Sequence, residues 1–161
     1  MEVSLMFVRD VMSAAPLTID PEAPLETAVA IMRERGVRHL PVVDADDRLV
    51  GIVTDRDLRS AMFGDVLADY LPGESARRLR ALATPLNDVR IGQVMTWQVV
   101  TVGPEAPLAQ AAAIMAERRI GSLPVVDHAR LVGIVTERDV FKALAATLPC
   151  VRGEDPDTYF W

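Results

Sequence analysis

Gly51-Ile52-Val53-Thr54-Asp55-Arg56-Asp57 runs an apolar stretch into a charged one, and it returns as Gly133-Ile134-Val135-Thr136-Glu137-Arg138-Asp139. In each copy a β-branched run ends on a threonine with an acid three residues further on. This is the punctuation of a strand passing into a helix: the hydroxyl caps the third helical N–H and the acid reaches back to the threonine N–H. The likeness continues upstream. Leu40-Pro41-Val42-Val43-Asp44 answers Leu123-Pro124-Val125-Val126-Asp127, Ile31-Met32 answers Ile114-Met115, and Pro21-Glu22-Ala23-Pro24-Leu25 answers Pro104-Glu105-Ala106-Pro107-Leu108. Thr18 matches Thr101, and Met95 stands 83 positions after Met12. Two copies of one unit in so short a chain predict that neither buries its core alone and that the two pack about a pseudo-twofold axis, with the seam as the place for a ligand.

The periodicity supplies the elements. Pro24 and Pro107 suit the first turn of a helix, where a missing N–H costs nothing. Leu25, Ala28, Val29 and Met32, and in the second copy Leu108, Ala111, Ala112 and Met115, recur at helical spacing and predict inward-facing stripes. Beyond Gly36 the pattern changes to short β-branched runs, Leu40 to Val43 and Leu49 to Val53, joined by a polar turn; Leu123 to Val126 and Leu131 to Val135 repeat the hairpin with a turn one residue shorter. Asp44, Asp46 and Asp47 in the first turn lack the glycine and distal glutamate of a calcium loop and read as a solvated turn. The organisation expected is a first repeat over 1–62, a helical insertion over 63–87, a second repeat over 88–148 and a tail over 149–161. Ser75 to Ala83, carrying Arg77, Arg78 and Arg80 against Leu79 and Leu82, reads as an amphipathic helix, either a solvated face or a contact surface; Tyr159-Phe160-Trp161 ends the tail.

Composition narrows the function classes. Of 161 residues, 50% are hydrophobic and only 5% aromatic, so the core is built from Val, Ile, Leu, Met and Ala, which suits layered α/β packing. A net charge of −6 disfavours broad binding to a nucleic-acid backbone, though it leaves a single nucleotide open. No apolar run approaches the roughly 20 residues that span a bilayer. Met1 to Phe7 does not read as a secretion signal, so the expectation is a cytoplasmic protein without membrane contact. The single cysteine, Cys150, offers no intramolecular disulfide and no zinc knuckle.

Two readings of the Thr-x-x-Asp junctions stand side by side. One is a capping box and nothing more. The other is a ligand site: helix N-termini favour phosphate, Arg56 and Arg138 add charge there, and a carboxylate accepts hydrogen bonds from both ribose hydroxyls.

Taken together, the helix, the Leu-Pro-Val-Val-Asp strand, the Gly-Ile-Val-Thr-x-Arg-Asp junction and the tandem copy resemble the CBS domain pair, or Bateman module. The resemblance covers nearly the whole chain outside the insertion and tail. It implies an α/β (α+β) fold of two β-α-β-β-α repeats and two clefts for an adenosyl ligand such as AMP, ADP, ATP or S-adenosylmethionine. By that resemblance Asp57 and Asp139 hold ribose hydroxyls, Thr54 and Thr136 bind ribose or phosphate beside Arg56 and Arg138, and Thr18 and Thr101 line the adenine pocket. Residues just before the Leu-Pro pair face the phosphates: Arg38 and His39 in one cleft, Gly121 and Ser122 in the other. The first cleft then suits a di- or triphosphate and the second a less charged ligand.

The function expected is a stand-alone regulatory module that senses an adenine nucleotide, forms a homodimer and signals to a protein partner. No catalytic residue, catalytic cofactor or metal is expected. The carboxylate pairs Asp55 with Asp57 and Glu137 with Asp139 are accompanied by no nucleophile with an activating base and no phosphate-binding glycine loop. The alternative is a ligand-free scaffold acting through the insertion helix and the aromatic tail.

Overall fold

Backbone pairing can be added to a hairpin from anywhere in the chain, and here each hairpin takes it from the other repeat, one as a strand and one as a single bridge. The computed structural model describes residues 6–62 and 88–147, together with Gly73 and Ser75. In chain order these form β1 (Ser13–Ala14), α1 (Leu25–Arg35), β2 (His39–Val43), β3 (Leu49–Thr54), α2 (Asp55–Ala61), α3 (Ile91–Val94), α4 (Leu108–Arg118), β4 (Ser122–Asp127), β5 (Arg130–Thr136) and α5 (Glu137–Thr147). Apart from Ser75, the insertion helix expected over 75–83 lies outside the described residues, as do the aromatic tail and Cys150.

Both hairpins form where the β-branched runs place them. β2 pairs antiparallel with β3 and β4 with β5, and each ladder carries an irregularity at the same register, between Val42 and Val43 and between Val125 and Val126. Asp44 Oδ1 accepts the N–H groups of Asp46 and Arg48 at 3.0 and 2.9 Å, so this carboxylate organises the first turn.

The helices differ from expectation by one residue. Pro24 and Pro107 stand at the N-cap rather than in the first turn, with extended backbone at φ −65°, ψ 149° and φ −57°, ψ 137°. Their carbonyls accept the N–H groups of Thr27 and Gln110. The first-turn N–H groups they precede are satisfied across the seam: Leu25 donates to the Val89 carbonyl at 2.8 Å and Leu108 to that of Met6 at 2.8 Å. A helix end needs partners from outside the helix, and here the other repeat provides them.

The exchange of segments is reciprocal. β1 pairs with β5, setting Ser13 against Ile134, while Thr96, at the corresponding place in the second repeat, bridges Ile52 of β3. Val8 N–H donates to Ala106 O and Ile91 N–H to Ala23 O. The cores follow the same rule. Ile91 and Met95 complete the cluster of Leu25, Leu40, Val42 and Val53, whereas Val8 completes that of Leu108, Leu123, Val125 and Val135. The Met95 thioether lies over Gly51 and that of Met12 over Gly133, where a side chain on the glycine would collide with it. Each repeat therefore lends the other its N-terminal segment, and two interlocked cores result.

Candidate functional site

β3 ends at Thr54 because the chain turns there into α2, and the turn is held by side chains. The Asp57 carboxylate accepts both the Thr54 N–H, at 2.8 Å, and the Thr54 hydroxyl, at 2.7 Å, and both bonds fall on Oδ2. The Asp57 N–H donates back to Thr54 Oγ1 at 3.4 Å. The junction of β5 with α5 is built alike, with Thr136 N–H and hydroxyl donating to Asp139 Oδ2 at 2.9 and 2.6 Å. In both copies the acid reaches back to the threonine, with the full reciprocal cap seen at Thr54, and the group so oriented is a carboxylate with a second oxygen, Oδ1.

The first junction opens onto a cavity of about 410 Å³ at the seam, within the size range of small-molecule sites. From the first repeat it is lined by Arg38 and His39 at the start of β2, by Ile52 and Thr54 of β3, and by Asp55, Arg56, Asp57 and Arg59 of α2. From the second come Thr96, Gln98, Val99 and Val100, then Arg119 to Ser122 before and within β4, and Glu137 of α5. The lining combines apolar side chains, Ile52, Val99, Val100 and Ile120, with charged ones. Arg59 donates to Asp55 at 2.8 Å, so part of that charge is already paired. A ligand that joins a flat apolar group to a charged one would find complementary side chains here.

His39 sits half-buried among these charges, and its pKa is lowered from the ordinary 6.5. Burial is the main cause and the neighbouring Arg38 guanidinium adds to it, against Asp55, Glu137 and Asp57, which favour the charged ring. The folded protein thus resists a proton that the unfolded chain accepts. Stability from this group is present above pH 6.5 and is lost as the pH falls through the lowered value. Between pH 7.5 and 5.5, the urea midpoint of the parent should therefore fall further than that of His39→Gln; equal falls would remove His39 as the source.

Of the site residues expected, Arg38, His39, Thr54, Arg56, Asp57 and Ser122 meet in this cavity. Thr136, Asp139 and Arg138 do not line it: the first two hold their own junction, and Arg138 lies along α5 in a groove with Phe141 and Lys142. Thr18 and Thr101 are exposed and line neither the cavity nor this groove. Alternation explains this, because Ile19 and Val102, next in sequence, turn inward and bridge Val42 and Val125. The division of phosphate-facing residues between two clefts also needs correction. Arg38-His39 and Gly121-Ser122 line the same cavity. Residues not anticipated include Gln98, Val99, Val100, Arg119 and Glu137, all contributed by the second repeat.

The CBS domain family matches the chain twice, over residues 8–64 and 91–146. The chain belongs to the CBS domain family. It is 33% identical over 144 residues to a CBS domain-containing protein of Dictyostelium discoideum, covering 89% of this chain and 94% of that one. Among solved structures it resembles the CBS domain pair of protein MJ0100 in complex with 5′-methylthioadenosine and S-adenosylmethionine, with a TM-score of 0.70 and 29% identity over 89% of this chain and 99% of that one. It also resembles CBSX2 in complex with AMP, with a TM-score of 0.69 and 27% identity over 87% and 96% of the two chains. The CBS pair also matches within longer enzymes, spanning 22%, 25% and 23% of three of them. Among the described residues no helix is long and apolar enough to cross a membrane.

Proposed function

We propose that this CBS pair is a regulatory module that binds an adenosyl ligand in the seam cavity and transmits its occupancy to a partner protein. The observation that carries the reading is that one cavity is lined by an oriented carboxylate, Asp57, by apolar side chains and by arginines from both repeats. Asp57 Oδ1 accepts ribose hydroxyls, Val99, Val100 and Ile120 take the adenine, and Arg38, Arg56 and His39 face the phosphates, with Thr54 and Ser122 beside them. Thr136, Arg138 and Asp139 serve a second cleft related by the pseudo-twofold. The complexes of the MJ0100 pair and of CBSX2 support the ligand class. The occurrence of the pair as a minor part of longer enzymes supports the regulatory role.

A ligand held by both repeats favours whichever relative arrangement it fits better, and only that difference in affinity can drive a response. The test is calorimetric titration of nucleotide-free protein with AMP, ADP, ATP and S-adenosylmethionine, with GTP as control. Saturable binding of an adenosyl ligand is expected. At 100 times its dissociation constant that ligand adds about 2.7 kcal/mol to stability. Failure of all four to bind would overturn the reading in favour of a scaffold.

A further inference from the structure

Arg119 ends α4 in the left-handed region, at φ 56° and ψ 43°, with its N–H bonded to the Met115 carbonyl. The corresponding residue of the first repeat is Gly36, at φ 64° and ψ 28°, bonded to Met32 in the same way. Glycine enters this region freely, and asparagine is the usual second choice at a helix C-terminus. Arginine has neither advantage, and its Cβ makes the conformation unfavourable. The repeat that carries the unfavourable residue is the one whose helix end borders the cavity, and Arg119 lines it.

The charges that line the cavity are unevenly divided between the repeats. Arg38, Arg56 and Arg59 all come from the first repeat, and Arg59 is paired with Asp55. The second repeat contributes two charged groups to the lining, Glu137 and Arg119. Without Arg119 the second repeat would contribute only a carboxylate to the charged lining, which repels a polyanion; with it, both repeats contribute cations. A guanidinium also presents several donors in a fixed fork suited to phosphate oxygens.

We propose that Arg119 is the specificity-determining arm of the cavity, a cation reaching from the second repeat that selects a polyphosphate chain and ties the two repeats together through it. This deepens the adenosyl reading and rests on it for the nucleoside end of the ligand. Its test, however, includes an anion with no nucleoside.

Parent, Arg119→Gly and Arg119→Asn proteins are titrated with sodium tripolyphosphate, ATP and adenosine, and their ligand-free melting temperatures are compared. Both variants accept the left-handed backbone, so neither should melt below the parent, and Arg119→Gly should melt higher. Tripolyphosphate and ATP should each bind the two variants at least tenfold more weakly than the parent, with adenosine unchanged. Parent-like ATP affinity in both variants would overturn the proposal and leave the adenosyl reading intact. So would a loss in Arg119→Gly alone, since backbone rather than charge would then be responsible. Parent protein that binds tripolyphosphate through Arg119 would support the arm even if AMP, ADP, ATP and S-adenosylmethionine all failed to bind, the result that overturns the adenosyl reading. No response of the parent to tripolyphosphate or ATP would overturn the arm itself.

Discussion

Ile91→Ala lowers the free energy of unfolding by about 2–5 kcal/mol, the range for deleting a large aliphatic side chain from a packed core. The damage falls in the first repeat, although Ile91 belongs to the second. Its side chain is fully buried among Leu25, Leu40, Val42 and Val53. The α3 backbone beside it is held by the Ala23 carbonyl, which accepts the Ile91 N–H at 3.0 Å. Val8 fills the corresponding place in the other core, fully buried against Leu108, Leu123 and Val135. Because each core contains the other's segment, the two cannot melt apart, and urea unfolding of parent and variant should show a single transition by both fluorescence and circular dichroism. A second transition in Ile91→Ala, or a loss below 1 kcal/mol, would mean that the segments are not exchanged in solution.

If Asp57 holds the ribose as proposed, Asp57→Asn should weaken adenosyl-ligand binding by about 10- to 100-fold, the effect of weakening a hydrogen bond to a charged group worth about 1.5–3 kcal/mol. The asparagine keeps a carbonyl oxygen for the Thr54 N–H, which now donates to Asp57 Oδ2 at 2.8 Å, so the junction of β3 with α2 persists. Unfolding should change by no more than about 1 kcal/mol, the usual scale of a lost cap. Isothermal titration and urea unfolding on the same sample separate the two effects. Parent-like affinity would leave Asp57 a capping residue only. The matching Asp139→Asn variant reports on the second junction, and a change in stoichiometry there, with the first site unaffected, would mark it as an independent cleft.

Much of this molecule is legible along the chain because the interactions responsible are short-range. The hairpins appear where β-branched runs flank a polar turn. The inward helical faces follow the spacing of Leu25, Ala28 and Met32 and of Leu108, Ala111 and Met115, all of them buried. The Thr-x-x-Asp boxes close over three residues, so their spacing alone announces them. The prolines misled by one position for an equally local reason: extended φ and ψ at the N-cap and helical φ at the first turn both suit a ring fixed near −65°.

The tandem repeat by itself determined the family, the paired architecture and the orientation of Asp57, because repetition, periodicity and capping are written in neighbouring residues. The tertiary structure alone decided which repeat completes which core and which residues face one another across the seam. Ser13 can add to either hairpin with the same backbone hydrogen bonds, and Arg119 follows its helix in sequence like any other charged residue. With the N-terminal segments crossed over, Gln98, Val99, Val100 and Arg119 line one cavity with Thr54 and Asp57. That crossing is governed by the joint burial of Val8 and Ile91 in cores assembled from distant parts of the chain, a long-range packing term that no local pattern encodes.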